Sequence, residues 1–598
     1  MTTYRKSVLL FAAALAAFPL AFHAKALSIV PDPKTEKKEI GGSTAVLSPA
    51  SWKSCSLIDA LEYCDETVVG SDITHDTPLS RIALRNTLPF PRTIQVSVQA
   101  PRSALSTRTV ALGPGASATI TLPGVFTVED GHSYGESSVT LFEAKPPNSN
   151  GPKSEPIQLS SRVSDFHHAS YHASYGYTVE NDVNLLLSAG IVRDAVLPAF
   201  KHDFNSVELR RDAADWPRDF RAYLPFDAVC MTKEVADALP EETRAALRAF
   251  EILGGAVITF ADGKSVPPNL QSTAETAQRR RICDQNIPGY YYSSTPDSRF
   301  TENHACVPIN VGKSLPVGLL VFLLLLVAFI VMPGIVFVCA KRNRRLLILA
   351  ALPGTAFALT LVVAAIALIA YGTTPTVRIQ SVTILDPESR LAVTRGQFAL
   401  FAPGNVTEEM SIPSDVSFRL RGRGNERFTA SFGESCRLSG DWVKPLTATF
   451  FDFERAERRS ERLDVRPAQD GDLVFANLLG VPVTGGTARF GNSRYKVPAL
   501  APGEQATVKG EPLPDKAAAN APLPHETLFE KGTSYGRNWK DITELIEKDK
   551  LLLPDRTYVV RLADSPFFPS PLASRKTYET AEAVVAGRIA DDGGKEEK

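Results

Sequence analysis

Two long apolar runs near the middle of the chain constrain its fold more than any other feature. Leu315–Ala340 and Leu346–Tyr371 contain no Asp, Glu, Lys, Arg or His, and the basic pentapeptide Lys341–Arg345 separates them. Because a bilayer core takes about 20 apolar residues per helical span, each run predicts a transmembrane helix. Basic loops stay in the cytoplasm, so this apolar hairpin predicts that the segments before and after it lie together on the opposite side.

The first residues predict a cleaved signal peptide, residues 1–26. Arg5 and Lys6 precede the apolar stretch Val8–Phe22, and Ala24-Lys25-Ala26 supplies the small residues of a cleavage site. An uncleaved N-terminal span would give the same sidedness. We therefore expect an inner-membrane protein whose two large segments lie on the periplasmic or extracellular side, with the lipid bilayer as a partner.

Charge balance excludes one class of partner. The 598 residues carry 65 Lys and Arg against 66 Asp and Glu, a formal net charge of −1. Such a balance creates no long-range attraction to polyanions, so we expect no nucleic-acid binding.

The segments on both sides of the hairpin have the pattern of β-sandwiches. Short β-type runs broken by Pro and Gly occur in Arg81–Gln99 and Thr107–Pro123, and again in Asp472–Phe490 and Arg494–Val508. We expect an immunoglobulin-like β-sandwich domain at residues 27–165 and a β-rich domain at 372–585. Residues 586–598 have little apolar content and predict a disordered tail.

A local repeat links the two β segments. Residues 111–120 and 499–508 are identical at six of ten positions, and Asn86 and Asn477 precede them at similar distances. An Asn that closes one strand, a Pro-Gly turn and an alternating strand together predict one unit of a sandwich. Convergent turn chemistry is the alternative explanation.

The periodicity changes between the first β segment and the hairpin. Bounded apolar runs at Asn181–Gly190, Phe226–Thr232 and Ala256–Phe260 predict strands, and a helical pattern from Glu241 to Leu253 precedes the last of them. Strands that alternate with helices predict a parallel, doubly wound sheet, here placed at residues 178–310.

The run from Phe226 to Phe260 resembles the strand–helix–strand core of class I glutamine amidotransferase-like domains in exported, membrane-anchored bacterial proteins. Ser439–Val465, Asn477–Gly480 and Leu553–Phe568 are similar to the matching region of an uncharacterised bacterial double-spanning family with the same layout. The resemblance implies a flavodoxin- or amidotransferase-like α/β domain. It transfers no activity, because that family supplies none.

Active amidotransferases of this class place a nucleophilic Cys in a G-x-C-x-G elbow between strand and helix. The chain reads Ala261-Asp262-Gly263-Lys264 after Phe260, with neither Cys nor elbow. Cys230 lies inside an apolar run, where a small buried side chain is expected. We therefore predict no catalytic residue and no cofactor.

Ligands of open α/β sheets bind outside the carboxyl ends of the strands. Ser188, Thr232, Lys233 and Asp262 follow or end the predicted strands and are candidate ligand-binding residues, with ordinary loop polarity as the alternative. The sequence identifies no small-molecule ligand.

His168 and His172 stand at the i, i+4 spacing of a helical metal site, but no acidic third ligand accompanies them. A solvated connector is the competing interpretation, and we expect no metal. An exported compartment permits disulfides, and Cys55 with Cys64 and Cys283 with Cys306 are the candidate pairs.

Three functions follow from these features. The leading hypothesis is a non-enzymatic, membrane-anchored interaction or sensing module with an envelope protein as its partner. The alternatives are an accessory subunit of an ABC-type exporter and a metal-dependent periplasmic hydrolase that uses the segment from His167 to His172.

Overall fold

Strands predominate in the computed structural model of the chain, where they form several sheets with few helices. The structure describes residues 44–47, 53–54, 61–68, 79–87, 89–99, 103–123, 125–128, 138–143, 157–159, 183–191, 196, 204–209, 212–224, 226–261, 265–285, 317–341, 347–371, 374–403, 410–421, 428–440, 442–443, 445, 447–468, 471–513, 553–572 and 578–589. All of them belong to one unit, residues 42–598. The predicted signal peptide and the predicted boundaries at 165, 178 and 310 lie outside this set.

The strands described before residue 160 are β1 Thr44–Leu47, β2 Lys53–Ser54, β3 Leu61–Val68, β4 Leu79–Asn86, β5 Arg92–Gln99, β6 Ser103–Leu112, β7 Ser117–Pro123, β8 Val125–Val128, β9 Ser138–Glu143 and β10 Ile157–Leu159. β4 pairs antiparallel with β3 and β7, and β5 pairs antiparallel with β6 and β9. Buried Ile94, Val96 and Val98 alternate with half-buried polar residues along β5, as expected for a strand with one face on a core. We call β3–β7 with β9 the N-terminal β module.

The next segment comprises β11 Val183–Ser188, β12 Phe204–Leu209, β13 Ala228–Thr232, α1 Lys233–Ala238, α2 Glu241–Ile252, β14 Ala256–Phe260 and α3 Leu270–Gln285, with 3-10 turns at Ala213–Asp215 and Phe220–Ala222. The strands pair in parallel in the order β1, β12, β11, β13, β14. This pairing agrees with the parallel sheet predicted from the sequence.

Helices cover both faces of the parallel sheet. Phe250 of α2 packs with Val229 on one face, and Ala274 of α3 packs with Cys230 on the other. α2 ends at Ile252, and Gly254, which follows the C-cap Leu253, has a φ of 103° in the left-handed region. A Cβ on the adjacent Gly255 would lie within 2.1 Å of the Phe250 ring, so the aromatic core requires glycine there.

The apolar hairpin is helical. It contains α4 Val317–Leu326, a π turn at Val327–Val331, α5 Met332–Lys341 and α6 Leu347–Tyr371. Among the described residues, one stretch, Val321–Lys341, is long and apolar enough to cross a bilayer, with a mean hydropathy of 3.1. Within α6 the apolar stretch Pro353–Ile366 is shorter than a membrane span, so the second span remains a prediction.

The strands after the hairpin are β15 Thr376–Asp386, β16 Leu391–Phe401, β17 Met410–Pro413, β18 Ser417–Arg421, β19 Phe428–Phe432, β20 Ser435–Gly440, β21 Ala448–Arg458, β22 Arg462–Pro467, β23 Leu473–Leu478, β24 Val483–Phe490, β25 Ser493–Val497, β26 Gln505–Val508, β27 Glu511–Pro512, β28 Thr557–Leu562 and β29 Tyr578–Arg588. A long sheet runs in the order β18, β21, β16, β15, β29, β28, β24, β25, β27. A three-stranded sheet of β22, β23 and β26 lies in the same segment. We call β22–β26 with β28 the C-terminal β module.

Strand pairing joins the segments on the two sides of the hairpin. β6 pairs in parallel with β19, Ser106 opposite Ala430, and β8 pairs in parallel with β18, Thr127 opposite Leu420. One hydrophobic core contains residues of the N-terminal β module together with residues of β15–β21, and a second combines α2 with β15, β16, β28 and β29. The predicted domains at 27–165, 178–310 and 372–585 therefore share cores.

The C-terminal strand corrects one expectation. The predicted tail begins at Ala586, yet β29 continues to Arg588, Ala586 is fully buried and Ile589 is 4% exposed. The small apolar residues at 583–586 fill the space between β15 and β28, which composition alone does not reveal. Residues 590–598 lie outside the described residues.

Candidate functional site

The order of the parallel strands places the candidate site between β11 and β13. β12 pairs with one edge of β11 and β13 pairs with the other, so the connections leave in opposite directions at this point. In open α/β sheets a crevice forms at such a switch point, outside the carboxyl ends of the strands. Ser188 ends β11 and Thr232 ends β13, so the structure brings these two predicted residues together.

The hydroxyl groups at this edge are engaged with the protein itself. The backbone N–H of Thr232 donates to Ser188 Oγ at 3.2 Å, and Ser188 Oγ lies 3.4 Å from the carbonyl oxygen of Ala189. Thr232 Oγ1 accepts from the N–H of Val235 at 3.4 Å and thereby caps α1. Ser188 is fully buried and Thr232 is 8% exposed. The Ser188 hydroxyl therefore joins the ends of β11 and β13, whereas the Thr232 hydroxyl fixes the start of α1.

The other two predicted ligand-binding residues do not complete a site. Lys233 is the first residue of α1, and its side chain is exposed. Asp262 lies outside the described residues, as do His168 and His172. Among the residues that the structure describes, no group of three His, Cys, Asp or Glu side chains is placed to hold a metal ion.

Cys230 has the environment of a core residue. It pairs with Leu187 and Ile258 in the middle of β13 and is fully buried. Burial raises the pKa of its thiol from 9.0 to about 12, so the thiol is protonated at neutral pH. The thiolate is the nucleophilic form of cysteine, and this environment suppresses it.

Asp227, whose carboxylate lies at the amino ends of the parallel strands, was not identified from the sequence. Asp227 Oδ2 accepts from the N–H of Asn184 at 2.8 Å, and the N–H of Asp227 donates to the Asn184 carbonyl at 2.9 Å. The Asp227 carbonyl also accepts from the N–H of Ala256 at 3.0 Å. Asp227 thus joins the amino ends of three strands. The one sequence feature that could have pointed to it is its position directly before an apolar run.

A buried arginine joins the α/β segment to the segment after the hairpin. Arg221 donates to both oxygens of Asp219, and its Nη1 donates to the carbonyl oxygens of Ser414 at 2.8 Å and Val416 at 3.4 Å. Burial alone would lower the pKa of the Arg221 guanidinium, but the Asp219 carboxylate outweighs it and the pKa is raised. No sequence pattern pairs residue 221 with residues 414 and 416.

Two further ion pairs cross the same boundary. Arg248 Nε lies 3.1 Å from Asp386 Oδ2, and Glu241 Oε1 lies 2.8 Å from Arg458 Nη2. Both ion pairs lie where α2 packs on the long sheet, so charged side chains border the apolar part of this interface.

The predicted repeat has a structural counterpart. Asn86 pairs opposite Leu61 while Asn477 pairs opposite Leu463, and the next strand begins opposite Arg85 in one module and opposite Ala476 in the other. Gly115 and Gly503 have φ values of 66° and 78° in the two Pro-Gly turns. The ten-residue identity therefore lies on equivalent turns and strands.

The cysteine pairs remain predictions. Cys64 lies in β3 and Cys283 in α3, whereas Cys55 and Cys306 lie outside the described residues. Cys230, Cys339 and Cys436 are free thiols.

Comparisons with known proteins add no assignment. No protein-family model matches the sequence, and no curated protein matches it.

Proposed function

We propose that the chain is a membrane-anchored envelope protein that acts as a non-enzymatic interaction or sensing module. One observation carries the proposal: strands from before and after the apolar hairpin are hydrogen-bonded to one another in the pairs β6 with β19 and β8 with β18. Paired strands cannot lie on opposite sides of a hydrocarbon core about 30 Å thick. This pairing supports a hairpin that leaves the folded body and returns to it on the same side, as two membrane crossings would do.

The charge of the hairpin loop supports the sidedness of the proposal. Lys341–Arg345 carries four basic residues between the two apolar runs, and such loops remain cytoplasmic. The folded body then lies on the periplasmic or extracellular face, and the hairpin tethers it.

The carboxyl edge of the parallel sheet supports the non-enzymatic part. Ser188 and Thr232 use their hydroxyls within the fold, and Cys230 is a buried thiol. The amidotransferase-like architecture is part of the same proposal: the strand order β12, β11, β13, β14 and the Gly254-Gly255 stop before β14 suit a domain that keeps that architecture without its nucleophile.

Labelling in native membranes tests the topology. Asn343→Cys in the loop and Glu388→Cys in the exposed turn after β15 would be treated with a membrane-impermeant maleimide from either side. We expect label at residue 388 from the outside and at residue 343 only after the membrane is opened. Label at both positions from one side of intact membranes would overturn the double crossing.

An activity assay tests the proposal that the protein is not an enzyme. The full chain in lipid nanodiscs should release no ammonia from glutamine and no product from a nitrophenyl ester. Hydrolysis that is lost in Cys230→Ala, with the fold retained, would overturn the non-enzymatic assignment.

A further inference from the structure

The outward face of the sheet formed by β22, β23 and β26 combines apolar and basic side chains. Leu473 and Phe475 of β23 point into the core of the C-terminal β module. Of the alternating residues, Ala476 is also buried, Val474 is half-buried and Leu478 is exposed. Leu478 is 47% exposed. Among the described residues outside the hairpin helices, Leu478 and Phe90 are the large apolar side chains that are exposed.

Arginines of β22 flank Val474 and Leu478. Arg462 pairs opposite Leu478 and Arg466 pairs opposite Val474. Between them, Asp464 meets Arg466 Nη2 at 2.8 Å and Arg462 Nε at 3.8 Å. The two arginine side chains are 58% and 66% exposed. Because Asp464 is the carboxylate that pairs with both of them, the three side chains together carry one net positive charge.

The N-terminal β module provides an internal reference for this face. By the register of the two repeats, Arg85 occupies the position of Ala476 and Thr87 that of Leu478. By the same register Ala83 occupies the position of Val474, so the N-terminal module differs at the exposed end of the strand, where it has Thr87 in place of Leu478. A single exposed leucine is ordinary on a protein surface, but here Leu478 and the half-buried Val474 each lie opposite an exposed arginine, and arginine is enriched at protein interfaces.

We propose that the face formed by Arg462, Arg466, Val474 and Leu478 docks a protein partner that presents carboxylates around an apolar side chain. Charge complementarity selects this partner, because the surplus arginine charge requires carboxylates and Leu478 requires an apolar contact. The proposal rests on the interaction function proposed above and names the surface that performs it.

Photo-crosslinking from the full chain in native membranes tests the proposal. The crosslinking residue p-benzoylphenylalanine replaces Leu478 or, as the matched control from the other module, Thr87. We expect an adduct from position 478 and at least tenfold less from position 87. The crosslinked partner peptide, identified by mass spectrometry, should contain Asp or Glu beside an apolar residue.

Charge reversal supplies the second arm. Arg462→Glu combined with Arg466→Glu should reduce the adduct at least tenfold, and Arg462→Lys combined with Arg466→Lys should restore most of it, with protease resistance of the fold unchanged in both. The proposal is overturned by no adduct at 478, an adduct that charge reversal leaves intact, or a partner peptide without carboxylates. Adducts confined to other surfaces would overturn this face while leaving the interaction function standing.

Discussion

Asn86 and Asn477, separated by the entire hairpin and α/β segment, make the same hydrogen bond. The side-chain amide of each donates at 2.9 Å to the carbonyl oxygen four residues further along, of Phe90 in one case and Val481 in the other. Each amide also reaches across to the following hairpin, to Leu112 at 3.3 Å and to Leu500 at 3.1 Å. The two asparagines therefore fix the same strand-switching turn in both β modules.

Removing either amide should destabilise its module. In Asn86→Ala and Asn477→Ala, buried carbonyls lose their donor, which costs about 1–3 kcal/mol. Urea unfolding of the detergent-solubilised chain, followed by tryptophan fluorescence, measures the change. Gln505→Ala, at an exposed position of β26, should leave the midpoint unchanged. Equal midpoints for wild type and both asparagine variants would contradict the assigned role.

Arg221 should contribute far more than a surface ion pair of the same type. Arg221→Ala leaves Asp219 and the carbonyls of Ser414 and Val416 without their buried donor, and the loss of one partner of a buried pair costs about 3–5 kcal/mol. Arg218→Ala is the matched control, because Arg218 and Glu242 are 62% and 59% exposed and such pairs contribute at most about 1 kcal/mol. Comparable losses in the two variants, measured by urea unfolding, would refute the link.

The buried thiols predict a specific alkaline destabilisation. Burial raises the pKa of Cys230 and of Cys436 from 9.0 to about 12. The folded state therefore holds these protons more tightly than the unfolded state, and the associated stability falls as pH rises from about 9 towards 12. Wild type should lose stability more steeply between pH 8.5 and 10 than Cys230→Ala with Cys436→Ala, in urea titrations at each pH. Parallel profiles would show that the thiols do not titrate in this way.

The C-terminal strand should be essential for folding. β29 lies between β15 and β28, and Val584, Val585 and Ala586 are fully buried. A chain that ends at residue 577 loses this central strand and should be degraded by trypsin under conditions in which the full chain resists. A chain that ends at Ile589 keeps β29 and is the control. Resistance of the shorter chain would mean that the long sheet tolerates the gap.

Local sequence patterns predict many of the strands and helices of the fold. The alternation along β5, the bounded apolar runs of β11, β13 and β14, and the helical spacing of α2 each depend on neighbouring residues, so the sequence alone predicts them. The Asn and Pro-Gly repeat was also visible, because turn geometry restricts residue type at a few positions. The sequence also predicted that Ser188 and Thr232 lie close together, because both stand at the carboxyl ends of parallel strands.

The role of the polar residues at these strand ends could be assigned only from the tertiary structure. A serine and a threonine at strand ends look the same in sequence whether their hydroxyls face a ligand or the protein's own backbone. Here Ser188 Oγ accepts from the Thr232 N–H, and Thr232 Oγ1 accepts from the Val235 N–H. Asp227 and Arg221 were missed for the same reason, since their partners lie far along the chain.

By itself, the sequence determined the apolar hairpin with its basic loop, the two related β modules and the alternating strands and helices between them. These features arise from composition and spacing over a few residues, where solvation and backbone geometry act locally. Only the tertiary structure decided that β6 and β8 complete their sheets with β19 and β18, and that the modules share cores across the hairpin. Pairing between strands about three hundred residues apart depends on which edges remain open after local folding, and no local pattern records that choice.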